Sequence, residues 1–158
     1  MNKIRILMPL ALSLMLAACA TSRPTMSYVA KEITPTDAAT LAADAVTHLA
    51  GPLPPAHTTL VLDAPSPTAG QTDVLTPVMV EKLRERGYGV TQADAKEGPK
   101  KEQGTMLRYL ASPMDNGVVL RLQYLQREAS RFYPRSTDGA LVPGAPFAVR
   151  NGGGSNEQ

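Results

Sequence analysis

A short cationic and apolar leader limits how much of this chain can enter a folded domain. Lys3 and Arg5 precede an apolar stretch over residues 6–18. A permanent membrane-spanning helix needs about 20 apolar residues, so this stretch is too short to form one. A positive region, an apolar region and small residues at the end are instead typical of a secretory signal peptide. We therefore predict that residues 1–18 are a signal peptide and that the folded domain lies beyond them.

The only cysteine of the chain, Cys19, directly follows Leu16, Ala17 and Ala18. This tetrad resembles the lipobox of bacterial lipoproteins, in which the cysteine sulfur accepts a diacylglycerol as a thioether. Cleavage before the cysteine then frees its amine for an N-acyl chain. The resemblance implies a lipoprotein that carries these lipids on Cys19 and uses no other cofactor. Each buried CH₂ contributes about 0.8 kcal/mol, so several acyl chains give durable membrane attachment.

Two other interpretations of this cysteine remain open. Ala18 and Ala20 flank Cys19, so ordinary signal cleavage after Ala20 also fits, and Cys19 could instead be a free buried thiol. One cysteine excludes an intramolecular disulfide. Residue 20 is alanine rather than aspartate, which resembles an outer-membrane address under enterobacterial sorting. We therefore expect a lipid anchor at the periplasmic face of the outer membrane, with outer-membrane lipid as a partner.

The charge balance argues against a nucleic-acid-binding protein. The chain has 16 Lys and Arg residues against 14 Asp and Glu residues. Two of the basic residues, Lys3 and Arg5, belong to the predicted signal peptide, so the processed chain would carry equal numbers of each sign. No excess of basic residues is left to form a nucleic-acid footprint. We expect no nucleic-acid partner.

Two helices are predicted from apolar periodicity and from the residues typical of helix ends. Thr34, Pro35 and Asp37 form a capping arrangement at the start of the first helix. Its apolar residues then fall on one stripe: Ala38, Leu41, Ala42, Ala45 and Leu49. The second helix is predicted over residues 73–86, with Thr76 as an alternative cap and Gly87 just after its end.

Four strands are predicted, over residues 58–63, 88–92, 105–112 and 118–126. Asn116-Gly117, between the last two, is a strong hairpin signal. The order of elements predicts an α+β fold. We expect a small two-layer sandwich in which a mixed sheet of about four strands has two helices on one face.

Composition along the chain predicts the domain organisation. We assign residues 19–33 to the lipidated cysteine and a polar tether, and residues 34–127 to the α+β domain. Residues 128–158 are predicted to be a weakly structured C-terminal extension. A weak edge hairpin over residues 131–133 and 145–149 is the only order expected there, and residues 151–158 are expected to be disordered.

No combination of residues has the spacing of a catalytic or metal site. His48 and His57 have no second ligand at metal spacing. No serine lies in a Gly-x-Ser-x-Gly elbow, and capping or turn roles explain Asp63 and Asp115. We therefore predict a protein that is not an enzyme, with no catalytic residue, no metal and no small-molecule substrate.

In the order of these features the chain resembles the TrbH family. Members of this family are conjugal-transfer lipoproteins of plasmid mating-pair-formation systems. The resemblance covers about residues 1–126 and includes the lipobox, the first helix, and the segments 54–62 and 83–90. It implies a structural or assembly subunit of a conjugative type IV secretion apparatus, with other conjugal-transfer core proteins as partners. At the level of single residues it implies a role for Cys19 alone.

Two other functions stay open at this point. Small α+β lipoproteins also act as regulators of peptidoglycan synthases, but a tether over residues 20–33 spans at most about 50 Å. That length argues against contact with an inner-membrane enzyme. An entry-exclusion lipoprotein fits the anchor equally well. For any protein partner, we expect an exposed sheet edge within residues 131–149, or the tether, to pair with a partner strand.

Overall fold

One face of a mixed β-sheet is covered by two helices in the computed structural model, which describes residues 26–66 and 72–151. The helices are α1 (Pro35–Leu49) and α2 (Leu75–Glu85). The strands are β1 (Tyr28–Val29), β2 (Thr59–Leu62), β3 (Gly89–Gln92), β4 (Thr105–Met114), β5 (Gly117–Tyr124), β6 (Arg127–Pro134) and β7 (Ala148–Asn151). Their order in the sheet is β3-β2-β4-β5-β6-β7, with β1 paired to β4. The predicted α+β class is confirmed, but the sheet has seven strands rather than about four.

Helix α1 begins as the sequence predicts. The Thr34 hydroxyl accepts a hydrogen bond from the Asp37 backbone N–H at 3.1 Å, and the Asp37 carboxylate accepts one from the Thr34 N–H at 3.0 Å. These two bonds satisfy backbone donors that the first turn leaves without a partner. The predicted apolar stripe is buried against the sheet: Ala38, Leu41, Ala42, Ala45 and Leu49.

Helix α2 begins differently from the prediction. Asp73 Oδ1 accepts hydrogen bonds from the backbone N–H groups of Leu75 and Thr76, both at 3.0 Å. Asp73 therefore provides the acceptor for two backbone donors in the first turn of the helix. Thr76 is buried and its hydroxyl bonds to Tyr109 instead. At the other end, Gly87 has a φ of +98° and the Tyr88 N–H bonds to the Leu83 carbonyl, which is a Schellman motif.

Successive side chains of the central strands point alternately to a buried face and to an open face of the sheet. In β4, Leu107, Tyr109 and Ala111 point to the helices and belong to the same core cluster as residues of both helices. The register of β5 places Leu120 and Leu122 beside them. The opposite face of the sheet carries the polar residues of these strands, as the alternation in β5 predicts.

The predicted tether ends earlier than residue 33, because part of it belongs to the domain. Tyr28 and Val29 pair with Leu110 and Ala111 of β4 in parallel. Val29 and Ile33 are 2% and 3% exposed. A strand of two residues has no measurable periodicity, so its position depends on the partner strand and not on its own pattern.

The C-terminal extension is also more ordered than predicted. Strand β6 pairs with the whole of β5, and β7 pairs with β6. Between them, the Val142 and Gly144 N–H groups donate to carbonyls of β6 at 3.0 and 3.1 Å. Residues 128–151 therefore complete the sheet rather than trailing from it. Residues 1–25, 67–71 and 152–158, which include the predicted signal peptide and Cys19, lie outside the described part of the chain.

The β4–β5 turn lies one residue earlier than Asn116-Gly117. Asp115 and Asn116 make the turn, with a φ of +48° at Asp115, and Gly117 is the first residue of β5. A Cβ on Gly117 would lie 2.3 Å from the Tyr133 carbonyl oxygen and 2.7 Å from the Phe132 ring. This glycine is therefore needed for the close approach of β6 and not for the turn.

Candidate functional site

A groove of about 920 Å³ lies on the open face of the sheet, at the start of β4. Met106 and Arg108 of β4 form its floor, residues 99–101 and Gly104 form one wall, and residues 123–128 form the other. Met26, the first described residue, lies at its rim. The groove is thus built from the segment before β4, the β5–β6 hairpin tip and the point where the N-terminal segment enters the domain.

The first wall is held in place by Gly104. This residue has a φ of +140°, and a Cβ on it would lie only 2.4 Å from the Thr59 carbonyl oxygen. Only glycine allows the short 3₁₀ turn Lys101–Gln103 to approach β2 this closely before the chain continues into β4. The positions of Lys100 and Lys101 beside the groove follow from this approach.

The second wall is the two-residue turn Leu125-Gln126 between β5 and β6. Both residues have positive φ angles, +45° and +57°, which are typical of a type I′ turn. Asn-Gly is the usual sequence of such a turn, and the left-handed conformation costs about 1–2 kcal/mol for other residues. Leu125 is also 53% exposed. An exposed leucine in a strained turn gains little from the fold, so it is a candidate contact residue.

Met26 and Arg108 connect the N-terminal segment to the groove. Met26 is 62% exposed, and its sulfur lies 3.6 Å from Arg108 Nη1. Arg108 Nε donates to Asp63 Oδ2 at 2.9 Å, and the Asp63 side chain is almost completely buried. Asp63 directly follows β2, at the strand end that the sequence indicates, and it is an ion-pair partner that orients Arg108.

Basic side chains predominate around the groove. Lys100, Lys101, Arg108 and Arg127 line it together with one carboxylate, Glu128. Lys100 pairs with Glu97 and Glu128 pairs with Arg150. Within the described ranges, Lys101 and Arg127 take part in no ion pair. Burial opposes ionisation of Glu128, but hydrogen bonds from Arg150 and Gln123 lower its pKa, so its charge is already compensated.

A second polar cluster fastens the C-terminal segment to α1. Arg131 Nη1 donates to both Asp44 carboxylate oxygens at 2.8 and 2.9 Å, and Arg131 Nη2 donates to the Gly144 carbonyl at 3.0 Å. The Tyr133 hydroxyl also donates to Asp44. Burial raises the pKa of Tyr133, and this hydrogen bond raises it further, so the phenol remains protonated. We interpret the cluster as structural because its charged groups pair with one another, although the buried Arg131 Nε has no hydrogen-bond partner among the described residues.

His48 belongs to this cluster. Its Nε2 lies 2.8 Å from the Tyr124 hydroxyl, and its ring stacks on Phe147 with centroids 4.2 Å apart. Burial lowers the pKa of His48, the Asp44 charge opposes this, and Arg131 lowers it further. The neutral imidazole is therefore the form that the folded protein favours.

The structure does not bring the other polar candidates together. His57 ends the exposed 3₁₀ turn Pro55–His57, Asp115 lies in the β4–β5 turn, and Asp63 is buried beside Arg108. Over residues 26–66 and 72–151, no group of three His, Cys, Asp or Glu residues could hold a metal ion. In the same ranges, no helix has the length and apolar character needed to cross a membrane.

Sequence reasoning missed the groove because its parts are far apart in the chain. Met26 lies in the segment predicted as a tether, and Lys100 and Lys101 lie in a loop with balanced charge. The available signal was Leu125-Gln126, a turn without glycine or asparagine between two regular strands. Such a pair predicts backbone strain only once the two strands are known to form a hairpin.

The family comparison agrees with the resemblance found in the sequence. The family model for conjugal transfer protein TrbH matches residues 20–152, which includes every helix and strand described above. No curated protein and no solved structure matches the chain. Because the matched region is most of the 158-residue chain, the protein belongs to the TrbH family of conjugal transfer proteins.

Proposed function

We propose that this conjugal transfer protein is a lipid-anchored structural or assembly subunit of a conjugative type IV secretion apparatus. The family match over residues 20–152 is the observation that carries the proposal. Cys19, which follows Leu16-Ala17-Ala18, directly precedes the matched region. The anchor would consist of diacylglycerol and an N-acyl chain on Cys19, and Ala20 favours the periplasmic face of the outer membrane.

The proposed mechanism is scaffolding without catalysis. Lipidation restricts the domain to a membrane surface and raises its effective concentration near the other conjugal-transfer core proteins. In the cluster beside α1, Arg131 pairs with Asp44 and His48 contacts Tyr124, so these polar side chains bind one another. We therefore expect partners among transfer proteins and outer-membrane lipid, and neither nucleic acid nor a small-molecule substrate.

The edge strand β7 is the surface that we expect a protein partner to use. All four of its residues, Ala148–Asn151, are exposed, and one side of the strand is occupied by β6. The other side offers backbone groups to an added strand. Within the segment 131–149 that the sequence indicated, Arg131 and Phe147 pack beside His48 and Asp44. Because these two residues already pack within the domain, the surface that we expect a partner to contact narrows to β7.

The short distance between Cys19 and the domain bears on the regulator hypothesis. Met26, at the groove, lies seven positions after Cys19. Seven extended residues span at most about 25 Å. This is half the reach of the predicted tether, which weakens the case for contact with a peptidoglycan synthase in the inner membrane.

The test is the effect of Cys19→Ser on plasmid transfer from a donor strain that carries the element. We expect transfer per donor to collapse to the level of a clean deletion, with normal cell shape and antibiotic tolerance. Ala20→Asp is the matched variant, since it keeps the acylation site and changes the sorting residue. It should lower transfer while the protein stays in the membrane fraction.

Each alternative has its own signature in the same strains. Altered cell shape or antibiotic tolerance with unchanged transfer would favour the peptidoglycan-synthase regulator. If the protein blocks transfer only when recipient cells produce it, entry exclusion is the better interpretation. Normal transfer from the deletion strain would rule out an essential role in the apparatus.

A further inference from the structure

We propose that the rim of the groove on the open sheet face docks against an anionic phospholipid bilayer and sets the orientation of the domain. The rim is formed by Met26, Leu125, Lys101 and Arg127. This inference rests on the proposed lipid anchor, because the anchor supplies the nearby membrane. It adds a second contact, made by the folded domain itself.

The composition of the rim matches a phospholipid surface. Met26 and Leu125 are 62% and 53% exposed, so two large apolar residues that line one groove reach into solvent. Lys101 and Arg127 lie beside them and form no ion pair within the described residues. Apolar groups flanked by cations without an ion-pair partner are typical of surfaces that lie in the headgroup region of a membrane.

The backbone geometry of Leu125 supports a contact role. Its φ of +45° places a leucine where glycine or asparagine would relieve strain. The turn lies between the end of β5 and the start of β6, and about half of the Leu125 surface faces solvent. Strain and exposure at the same apolar residue are consistent with a side chain that is buried only on binding.

The length of chain before Met26 determines which surface is near. Met26 lies seven positions after Cys19, and seven extended residues span at most about 25 Å. Met26 itself lies at the groove rim. Among the described residues, Met26 is the nearest in sequence to Cys19. An acylated Cys19 would therefore hold the rim of the groove near the bilayer.

Charge complementarity selects an anionic surface. Among the charged residues that line the groove, Lys100 is paired with Glu97, Arg108 with Asp63 and Glu128 with Arg150. Lys101 and Arg127 therefore leave two positive charges uncompensated among the described residues. A bilayer with phosphatidylglycerol attracts such a rim, whereas a zwitterionic bilayer offers no net charge. Each basic residue near an anionic surface strengthens binding about fivefold.

The chain has no tryptophan, so a single introduced tryptophan reports its own surroundings. We would purify the protein carrying Leu125→Trp from the donor cell envelope and reconstitute it into vesicles of phosphatidylcholine with or without phosphatidylglycerol. Brominated phospholipids then quench only an indole that reaches the bilayer. Val142→Trp is the matched control, because Val142 is 46% exposed and does not line the groove.

We expect blue-shifted, quenched emission from Leu125→Trp in phosphatidylglycerol vesicles and solvent-like emission from Val142→Trp. Adding Lys101→Gln and Arg127→Gln should lower the ratio of docked to undocked protein about 25-fold. Adding Arg84→Gln and Arg86→Gln, an equal change of charge on two exposed residues at the end of α2, should leave the ratio unchanged.

Three results would overturn the proposal. Equal quenching of both reporters would mean that the domain has no preferred face, and no quenching of either would mean that it does not dock. A blue shift at Leu125→Trp without quenching would assign the groove to protein, such as residues 20–25. The mass of the purified chain reports acylation of Cys19 separately, so loss of the anchor is distinguishable from loss of docking.

Discussion

Arg135 holds Asp37 through two parallel hydrogen bonds, although the two residues are 98 positions apart in the chain. Nη1 donates to Oδ1 at 2.9 Å and Nη2 donates to Oδ2 at 2.7 Å. The same carboxylate caps α1 through Thr34 and is only 2% exposed. The Asp37 side chain therefore joins the start of α1 to the residue that directly follows β6.

Asp37→Asn should destabilise the fold by about 2 kcal/mol at pH 7, because it leaves the Arg135 charge partly buried without its partner. Burial opposes ionisation of Asp37, but hydrogen bonds from Arg135 and Thr34 lower its pKa below the usual 3.8. A lowered carboxylate pKa contributes stability above about pH 4 that is lost as the pH falls through the folded-state pKa.

Urea unfolding of Asp37→Asn and the wild type between pH 7 and pH 3 checks this prediction. The difference in unfolding free energy should shrink below about pH 4. Asp115→Asn is the control, since Asp115 is exposed in a turn and asparagine tolerates its positive φ. A pH-independent deficit would show that the charge of Asp37 is not what matters.

Arg131→Met should release the C-terminal segment from α1. Arg131 bonds to both Asp44 oxygens and to the Gly144 carbonyl, and the two charged side chains are 17% and 19% exposed. Removing one partner of a largely buried pair should cost about 2–3 kcal/mol. Limited proteolysis should then cut residues 136–147 faster than in the wild type.

Arg150→Met is the matched control for this variant. Arg150 pairs with Glu128 through a side chain that is 70% exposed. An exposed pair contributes under about 1 kcal/mol, so neither stability nor cleavage should change much. Equal effects of the two substitutions would contradict the fastening role of Arg131.

His48→Gln should change how stability depends on pH. Burial lowers the pKa of His48, Asp44 opposes this and Arg131 adds to it. Protonation is therefore harder in the folded state than in the unfolded state, whose pKa is about 6.5. The wild type should lose stability relative to His48→Gln as the pH falls below about 6.5.

Thermal unfolding of both proteins between pH 8 and pH 5 measures this difference. His57→Gln serves as the comparison, because His57 is exposed and lies outside the cluster. A constant difference between the wild type and His48→Gln across this range would be inconsistent with a neutral His48 bonded to Tyr124.

Gly117→Ala should destabilise the protein by about 2–3 kcal/mol, since a Cβ there would meet a backbone oxygen of β6 at 2.3 Å. Gly51→Ala adds the same methyl group at a helix end, where the nearest atom is 3.6 Å away, and should have little effect. Denaturant midpoints compare the two. Equal midpoints would show that β6 can shift away from Gly117 without cost.

Short sequence motifs were sufficient to indicate the family of this protein. The lipobox and the segments 54–62 and 83–90 indicate the TrbH family through local sequence alone, and the family match agrees. The groove residues were not predicted. Met26 and Leu125 belong to no recognisable motif, and they acquire a shared role only through their positions in space.

The sequence by itself determined the elements that depend on neighbours a few residues away. The Thr34–Asp37 cap, the buried stripe of α1 and the glycine after α2 follow from local hydrogen bonding and periodicity. Tertiary structure decided the pairing of β1 with β4 and the extension of the sheet by β6 and β7. Strands β1 and β7 are short, and β6 has few apolar residues. Pairing with distant strands and ion pairs such as Arg135–Asp37 therefore supply the stability that their local sequence does not.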